Sequence, residues 1–175
     1  MADPRQRRFR LWSWGQQSTA KSMITTPPTV QQVVEKLTEL VNLERGVGAL
    51  YYYLPDESLS AMAQDLCESH RLANVLEGGI DRALQAQMPT LSAWTAVNAI
   101  WYSAVWQVGE LLATFGFRLI EALRAESELW SVVVDPQAQF FGLAATADET
   151  QRYWLVLVTG QRGLAMSDSS ATAAR

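Results

Sequence analysis

Residues 29–48 read TVQQVVEKLTELVNLERGVG, and their pattern is that of an amphipathic helix with a defined start and end. Thr29 is followed three residues later by Gln32, which is the spacing of a capping box at the start of a helix. Apolar side chains then recur every three or four residues, as in a helix with one buried face; they are Val30, Val33, Val34, Leu37, Leu40 and Val41. Gly46 and Gly48 predict the end of this helix. The sequence therefore predicts a domain that begins on an amphipathic helix.

A second amphipathic helix is predicted after Pro55. Asp56 is a typical N-cap residue. The apolar positions that follow again have helical spacing; they are Leu59, Met62, Ala63, Leu66, Ala73 and Leu76. Gly78 and Gly79 predict the end of this helix, and residues 80–87 predict a short helical piece after it.

The remaining residues combine helical and strand patterns. Residues 94–106 alternate only in part, so this stretch fits either a strand or a buried helix. Residues 109–130 return to helical spacing, with Arg124 and Glu128 four positions apart on the solvent side. A hairpin is predicted from strands at 140–146 and 153–159, joined by a polar loop. The resulting organisation is an N-terminal arm and proline hinge (1–28), a folded domain (29–160) and a small, polar C-terminal tail (161–175) that should be mobile.

The order of these parts resembles the CAP superfamily of cysteine-rich secretory, antigen 5 and pathogenesis-related proteins, in its bacterial form. Residues 33–45 are similar to the opening helix of the family, including a terminal Asn-x-x-Arg at Asn42 and Arg45. Residues 59–64 are similar to its second helix. Asp135-Pro136, residues 141–144 and residues 153–156 are similar to its closing hairpin. The resemblance covers the outer thirds of residues 29–160, whereas residues 77–128 match poorly.

The resemblance implies an α+β fold, an α-β-α sandwich in which a small, mainly antiparallel sheet lies between helical layers. It also implies a central cavity that many members line with two histidines and two acids able to hold a divalent metal. This chain departs from that pattern. Its single histidine, His70, lies in the second helix, the Ser-x-x-His segment is replaced by residues 126–130, and no acid precedes Asn98 in residues 97–100. We therefore expect a degenerate cavity with no metal and no other cofactor.

Composition excludes several further classes of protein. The chain has 175 residues with 14 Lys and Arg against 18 Asp and Glu, so its net charge of −4 is not that of a nucleic-acid binder. One cysteine, Cys67, excludes an internal disulfide framework. We find no export signal and no apolar run long enough for a transmembrane segment. The chain is therefore predicted to be cytoplasmic, or peripheral on a membrane complex.

Residues capable of chemistry have simpler structural interpretations. His70 and Ser69 are adjacent on a helix and point to different faces, so they do not form a nucleophile and base pair. Cys67 lies close to the apolar face of its helix and favours core packing. Glu121, Glu126 and Glu128 favour a solvated helix face over an acid–base pair. We expect no catalytic residue.

Aromatic residues are the most unusual feature of the chain. Seven tryptophans occur in 175 residues, and Tyr51, Tyr52 and Tyr53 are consecutive. Most should lie in the core, but exposed tryptophan and tyrosine are favoured at protein interfaces. The arm adds aromatic and basic side chains before Pro27-Pro28; the predicted partner-binding residues are Arg5, Arg7, Arg8, Phe9, Arg10, Leu11, Trp12 and Trp14.

Three functions stay open from the sequence. The leading hypothesis is a non-catalytic accessory or scaffold subunit that binds a protein partner or a larger assembly, through the arm and an aromatic surface. The second is a module that binds an apolar small molecule or lipid in a cavity. The third is a hydrolase with a site that the sequence does not reveal.

Overall fold

The computed structural model describes residues 26–73 and 94–162, except for the side chains of residues 70, 72 and 73. Helix α1 spans Val30–Val47 and begins at the predicted capping box: Gln32 N donates to Thr29 Oγ1 at 3.2 Å, and Thr29 N donates to Gln32 Oε1 at 2.8 Å. Its predicted apolar face is confirmed, since Val33, Leu37, Leu40 and Val41 are buried. Gly48 is the C-cap, whereas Gly46 lies inside the helix.

Helix α2 spans Glu57–Ala73 and packs by the predicted face. Asp56 is its N-cap, because the Asp56 Oδ1 atom accepts from the amides of Ser58 and Leu59 at 2.9 and 3.1 Å. Burial raises the pKa of Asp56, but hydrogen bonds from the Ser58 hydroxyl and the Leu59 amide, together with the charge of Arg162, hold that pKa below its usual value. Leu59, Met62, Ala63 and Leu66 are buried. The predicted helix at 80–87, the glycines at 78 and 79, and Leu76 lie outside the described residues.

The stretch that the sequence left open is a strand. Strand β2 spans Trp94–Val105 and pairs with β4, Arg152–Arg162, from end to end. The partial alternation was therefore a strand pattern: Ile100, Ala104 and Trp106 belong to the core on one face of the sheet. Strand β4 ends at Arg162, three residues beyond the predicted strand end at 159 and two beyond the predicted end of the domain at Gly160.

The helix predicted for 109–130 is wrong in one respect, because it is two helices. Helix α3 spans Leu112–Ala125 and α4 spans Ser127–Val133, with Glu126 between them in an extended conformation. The break also changes the predicted pairing: Arg124 hydrogen-bonds the carboxylates of Glu44 and Glu121.

Two further strands, β1 (Leu54–Pro55) and β3 (Phe140–Ala147), complete the sheet of the described residues, whose strand order is β1-β3-β4-β2. The predicted hairpin is confirmed by β3, which is antiparallel to β4; β1 pairs with β3 in parallel. Tyr153, Leu155 and Leu157 face the core cluster that includes α1 and α3, while their neighbours Trp154, Val156 and Val158 face the cluster that includes α2. Strand β4 is therefore buried on both faces. The predicted α-β-α sandwich with a mainly antiparallel sheet is confirmed.

We expect the core clusters on the two sides of the sheet to contribute similarly to the free energy of unfolding. Leu37 contributes to the cluster on one side of the sheet and Leu66 to the cluster on the other. Leu37→Ala and Leu66→Ala should each lower the free energy of unfolding by about 2–5 kcal/mol, because each leaves a cavity in a packed interior. Chemical denaturation measures both losses, with His70→Ala as the variant expected to lose far less. Equal losses in all three variants would mean that the buried faces are assigned wrongly.

Candidate functional site

Arg45 is the residue around which the surface near the end of α1 is built. Its guanidinium is fully buried, and it donates to four backbone carbonyls: Tyr51 at 2.8 Å, Val133 at 3.0 Å, Asp135 at 2.9 Å and Ala138 at 3.1 Å. The same group lies 3.6 Å above the ring of Tyr53. Burial is the main influence on the pKa of both groups; it lowers that of Arg45 and raises that of Tyr53 to about 12.

Asn42 binds the backbone of the same tyrosine segment, residues 51–53. The Tyr53 amide donates to Asn42 Oδ1 at 2.8 Å, and the Tyr53 hydroxyl donates to the Val132 carbonyl at 2.8 Å. Asn42 and Arg45 together therefore fix the backbone of residues 51–53. The spacing of these two residues was noted in the sequence, but its role in holding the tyrosine segment was not foreseen.

This anchoring leaves two tyrosines on the surface. Tyr53 points inward, whereas Tyr51 is 89% exposed and Tyr52 is also exposed. Other exposed apolar side chains lie close to them in the chain, and we call the set the tyrosine surface: Leu43, Val47, Tyr51, Tyr52 and Leu54. Tyr51, Tyr52, Leu54 and Gln139 line an open groove of about 520 Å³. The prediction that some aromatic residues are exposed is correct here.

The sheet edge beside the tyrosine surface offers no free backbone donor from residues 53–56. Leu54 and Asp56 direct their amides to β3, where they donate to the carbonyls of Gln139 and Phe141 at 2.9 Å. The Tyr53 amide is used by Asn42, and Pro55 has no amide hydrogen. A partner at this edge therefore meets side chains and not free backbone donors.

The tryptophans of the described domain are mostly core residues, as predicted. Trp94, Trp106 and Trp154 are buried, Trp130 is half-buried, and Trp101 is exposed in part. The predicted partner-binding residues of the arm, from Arg5 to Trp14, lie outside the described residues, so their role stays a prediction.

Cys67 and the three glutamates considered for catalysis lie where the structural interpretations predicted. Cys67 is fully buried; its thiol donates to the Trp154 carbonyl at 3.1 Å, and burial raises its pKa to about 12. A thiol in this state is not a nucleophile at neutral pH. Glu121, Glu126 and Glu128 are exposed. His70 lies in α2, and its side chain is outside the description.

An ion pair between buried Glu110 and partly exposed Arg118 was not predicted from the sequence. Glu110 is buried and binds Arg118 through two hydrogen bonds at 3.0 and 2.9 Å, while it also accepts from the Gln107 amide at 3.0 Å. Hydrogen bonds from Arg118 and Gln107, which outweigh burial, hold the pKa of Glu110 below its usual value. Eight residues separate the two side chains, a spacing that gives no local signal. The pair fixes the loop before α3 and offers no free carboxylate for chemistry.

The apolar cavity of the second hypothesis is small. It lies between α1, α3 and the sheet, has a volume of about 30 Å³, and is lined by apolar side chains that include Leu37, Ile100, Leu119 and Leu157. A cavity of this size has room for about two water molecules. A lipid chain needs more room, so the cavity would have to expand to hold one.

Comparison with solved structures identifies the fold. An outer surface protein from Borrelia burgdorferi superposes with a TM-score of 0.63 at 14% identity, covering 78% of this chain and 97% of that one. A cysteine-rich secretory protein from Staphylococcus aureus superposes with a TM-score of 0.59 at 14% identity, covering 78% of this chain. The chain has the CAP fold.

Other CAP-fold structures extend the comparison. An extracellular protein containing an SCP domain from Bacillus anthracis superposes with a TM-score of 0.57 at 9% identity, covering 79% of this chain and 45% of that one. The alignment spans 41% of the Staphylococcus aureus protein. No family model matches the sequence. No curated protein matches it.

The metal cavity that the CAP resemblance implies does not fit the residues that the structure describes. Residues 126–130, at the position of the Ser-x-x-His segment, form the junction of α3 and α4, and Asn98 is exposed on β2 without an acid beside it. Among residues 26–73 and 94–162, no three His, Cys, Asp or Glu side chains converge as metal ligands. Three or four such ligands are what a protein site for zinc or manganese requires.

We accordingly predict that the purified chain binds no zinc, copper or magnesium stoichiometrically. Metal analysis of protein purified without chelator, followed by calorimetric titration, measures this directly. His70→Ala is the informative variant, because it removes the only imidazole. One equivalent of metal, bound with micromolar affinity and lost in that variant, would contradict the prediction.

Proposed function

We propose that this CAP-fold chain is a non-catalytic accessory subunit that binds a protein partner, or a larger assembly, through the tyrosine surface and the N-terminal arm. The observation that carries the proposal is the rigid presentation of Tyr51 and Tyr52. Arg45 and Asn42 fix the backbone of the tyrosine segment, while the side chains of Tyr51 and Tyr52 stay exposed. Large aromatic side chains on a fixed backbone gain contact area with little loss of freedom on binding.

The surroundings support a protein partner. Leu54 lines the same groove as the two tyrosines and adds aliphatic area to them, and larger exposed apolar patches mark interaction sites. The adjacent sheet edge has its amides occupied, so specificity would come from side-chain pockets. The arm would add basic and aromatic contacts from residues 5–14, with the arginines aiding capture and Trp12 and Trp14 slowing release.

The compartment belongs to the same proposal. No helix in the described part of the chain is long and apolar enough to cross a membrane. We propose a cytoplasmic chain, or one peripheral on a membrane complex. The descriptions "outer surface", "secretory" and "extracellular" are those of the similar structures.

Quantitative affinity enrichment from native lysate tests the proposal. Four full-length chains are compared: the parent, Tyr51→Ser/Leu54→Ser, Trp12→Ala/Trp14→Ala, and the control Val108→Ser. Val108 is 86% exposed, which matches Tyr51, but it lies away from the tyrosine surface in sequence and fold. A protein retained by the parent and the control, and reduced about tenfold in both double variants, is the expected result, since each removes apolar contact area. Equal recovery by all four chains would overturn the proposal.

A further inference from the structure

Charge is divided unequally between the arm and the described domain. Residues 1–25 carry five Lys and Arg against one acid, a net charge of +4. The described residues, 26–73 and 94–162, carry seven Lys and Arg against 14 Asp and Glu, a net charge of −7. The arm is therefore complementary in charge to its own domain, and the attraction acts within one molecule.

The outer face of α3 is where apolar and acidic side chains meet. Ala113, Phe117, Glu121 and Arg124 follow one another at spacings of three or four residues, and all four are exposed. Phe117, at 53% exposed, is the one large apolar side chain on this stripe. We call these four residues the α3 face.

The end of the α3 face is strongly acidic. Arg124 hydrogen-bonds Glu44 and Glu121, and Glu126 and Glu128 follow it in the chain. These four glutamates outnumber Arg124 by three charges. The C-terminal end of a helix also carries partial negative charge, which favours arginine there.

The described chain begins at the other end of α3. Thr26 and Pro28 line the same groove as Leu111 and Leu112, which stand at the start of that helix. The Pro28 carbonyl is fixed there by the Tyr153 hydroxyl at 2.6 Å. Eleven residues, 15–25, separate Trp14 from Thr26 and can span up to about 40 Å, while α3 is about 21 Å long. The arm can therefore reach any point of the α3 face.

We propose that the arm of this chain docks on its own α3 face, with Trp12 and Trp14 against Phe117 and the arginines at 5–10 against the glutamates at the end of the helix. The order of residues matches the order of the surface: counted back from Thr26, Trp14 and Trp12 come first, and the arginines at 10, 8, 7 and 5 come after them. Docking covers Phe117 and neutralises the acidic end of α3. This inference concerns the domain without a partner and does not rest on the proposed function; where both hold, a partner competes with the α3 face for the arm.

Paramagnetic broadening in the full chain tests the docking. Cys67 is buried, so a spin label attaches selectively to Ser13→Cys, between the two arm tryptophans. In ¹⁵N-labelled protein we expect broadening of amide signals concentrated on residues 111–124 and reduced at high salt. A mixture of ¹⁵N chains without label and ¹⁴N chains with label separates docking within a chain from docking on a second copy; we expect no broadening in the mixture.

Two matched pairs of variants locate the docking site. Phe117→Ser is compared with Leu43→Ser, because Leu43 is 52% exposed and lies on α1. Glu121→Lys is compared with Glu39→Lys; the two glutamate side chains are 66% and 63% exposed and each pairs with a basic residue three positions away. We expect Phe117→Ser to lower the ratio of docked to free arm about tenfold and Glu121→Lys to lower it several-fold, with the controls unchanged.

Several results would overturn the inference. Broadening spread evenly over the domain means that the arm does not dock. Broadening centred on the tyrosine surface, or lost in Leu43→Ser and retained in Phe117→Ser, places the arm elsewhere. Broadening in the mixed sample assigns the contact to a second copy. None of these results bears on capture of a protein by Tyr51 and Leu54, so the two proposals fail separately.

Discussion

Replacing Arg45 by methionine should lower the free energy of unfolding by about 3–5 kcal/mol, because it leaves buried backbone carbonyls without donors. Methionine keeps much of the length and apolar contact of the side chain, so the loss reports the hydrogen bonds. Four carbonyls are affected, and three of them, at Val133, Asp135 and Ala138, come from the segment that leads from α4 into β3. Chemical denaturation gives the difference in unfolding free energy.

Two further variants make the Arg45 result specific. Arg152→Met removes an exposed arginine and should cost little. Arg45→Lys keeps the charge but loses the planar set of donors, so its stability should fall between that of the parent and that of Arg45→Met. A loss for Arg45→Met no larger than that for Arg152→Met would show that the buried guanidinium is not what holds residues 133–138.

Gly142→Ala should destabilise the domain by about 3 kcal/mol or more, because α2 lies directly on this glycine of β3. A Cβ atom at residue 142 would lie 2.1 Å from the Leu59 carbonyl carbon and 2.2 Å from the Ser60 nitrogen. Both are backbone atoms, so no side-chain rotation relieves the overlap, and the helix must move away from the sheet. Denaturation midpoints and near-ultraviolet circular dichroism measure the loss of stability and of packing.

Gly48→Ala is the matched control for Gly142→Ala. Gly48 has an ordinary φ of −77°, and a Cβ atom there would meet nothing closer than 3.5 Å. Its stability should stay within about 1 kcal/mol of the parent. A native midpoint for Gly142→Ala would mean that α2 and β3 are not in direct backbone contact.

Local signals in the sequence predicted much of the fold. Thr29 with Gln32, and Asp56 before Glu57, are helix starts whose hydrogen bonds involve residues within three positions. The alternation at Ile100, Ala104 and Trp106 is also local, but by itself it fits a strand or a buried helix. The pairing of β2 with β4 shows that it belongs to a strand. Signals of this kind depend on neighbouring residues, so one sequence suffices to read them.

Other features depend on contacts between distant residues. Arg45 binds carbonyls about ninety positions away, and nothing near it in the sequence shows that its charge is buried. The break at Glu126 has no glycine or proline to mark it. Tyr51, Tyr52 and Tyr53 are identical in type, and only the hydrogen bonds of Asn42 and Arg45 distinguish the inward side chain from the outward ones. The tyrosine surface could therefore be suspected from the sequence but not located.

The position of β4 in the chain has a consequence for synthesis. It is the last of the described elements, yet it is the strand to which both β2 and β3 pair and on which both core clusters rest. While the ribosome is still translating residues 152–162, the apolar faces of α1 and α2 have no sheet to cover them. Exposed apolar surface of this kind makes an incomplete chain prone to aggregation until the last strand is available.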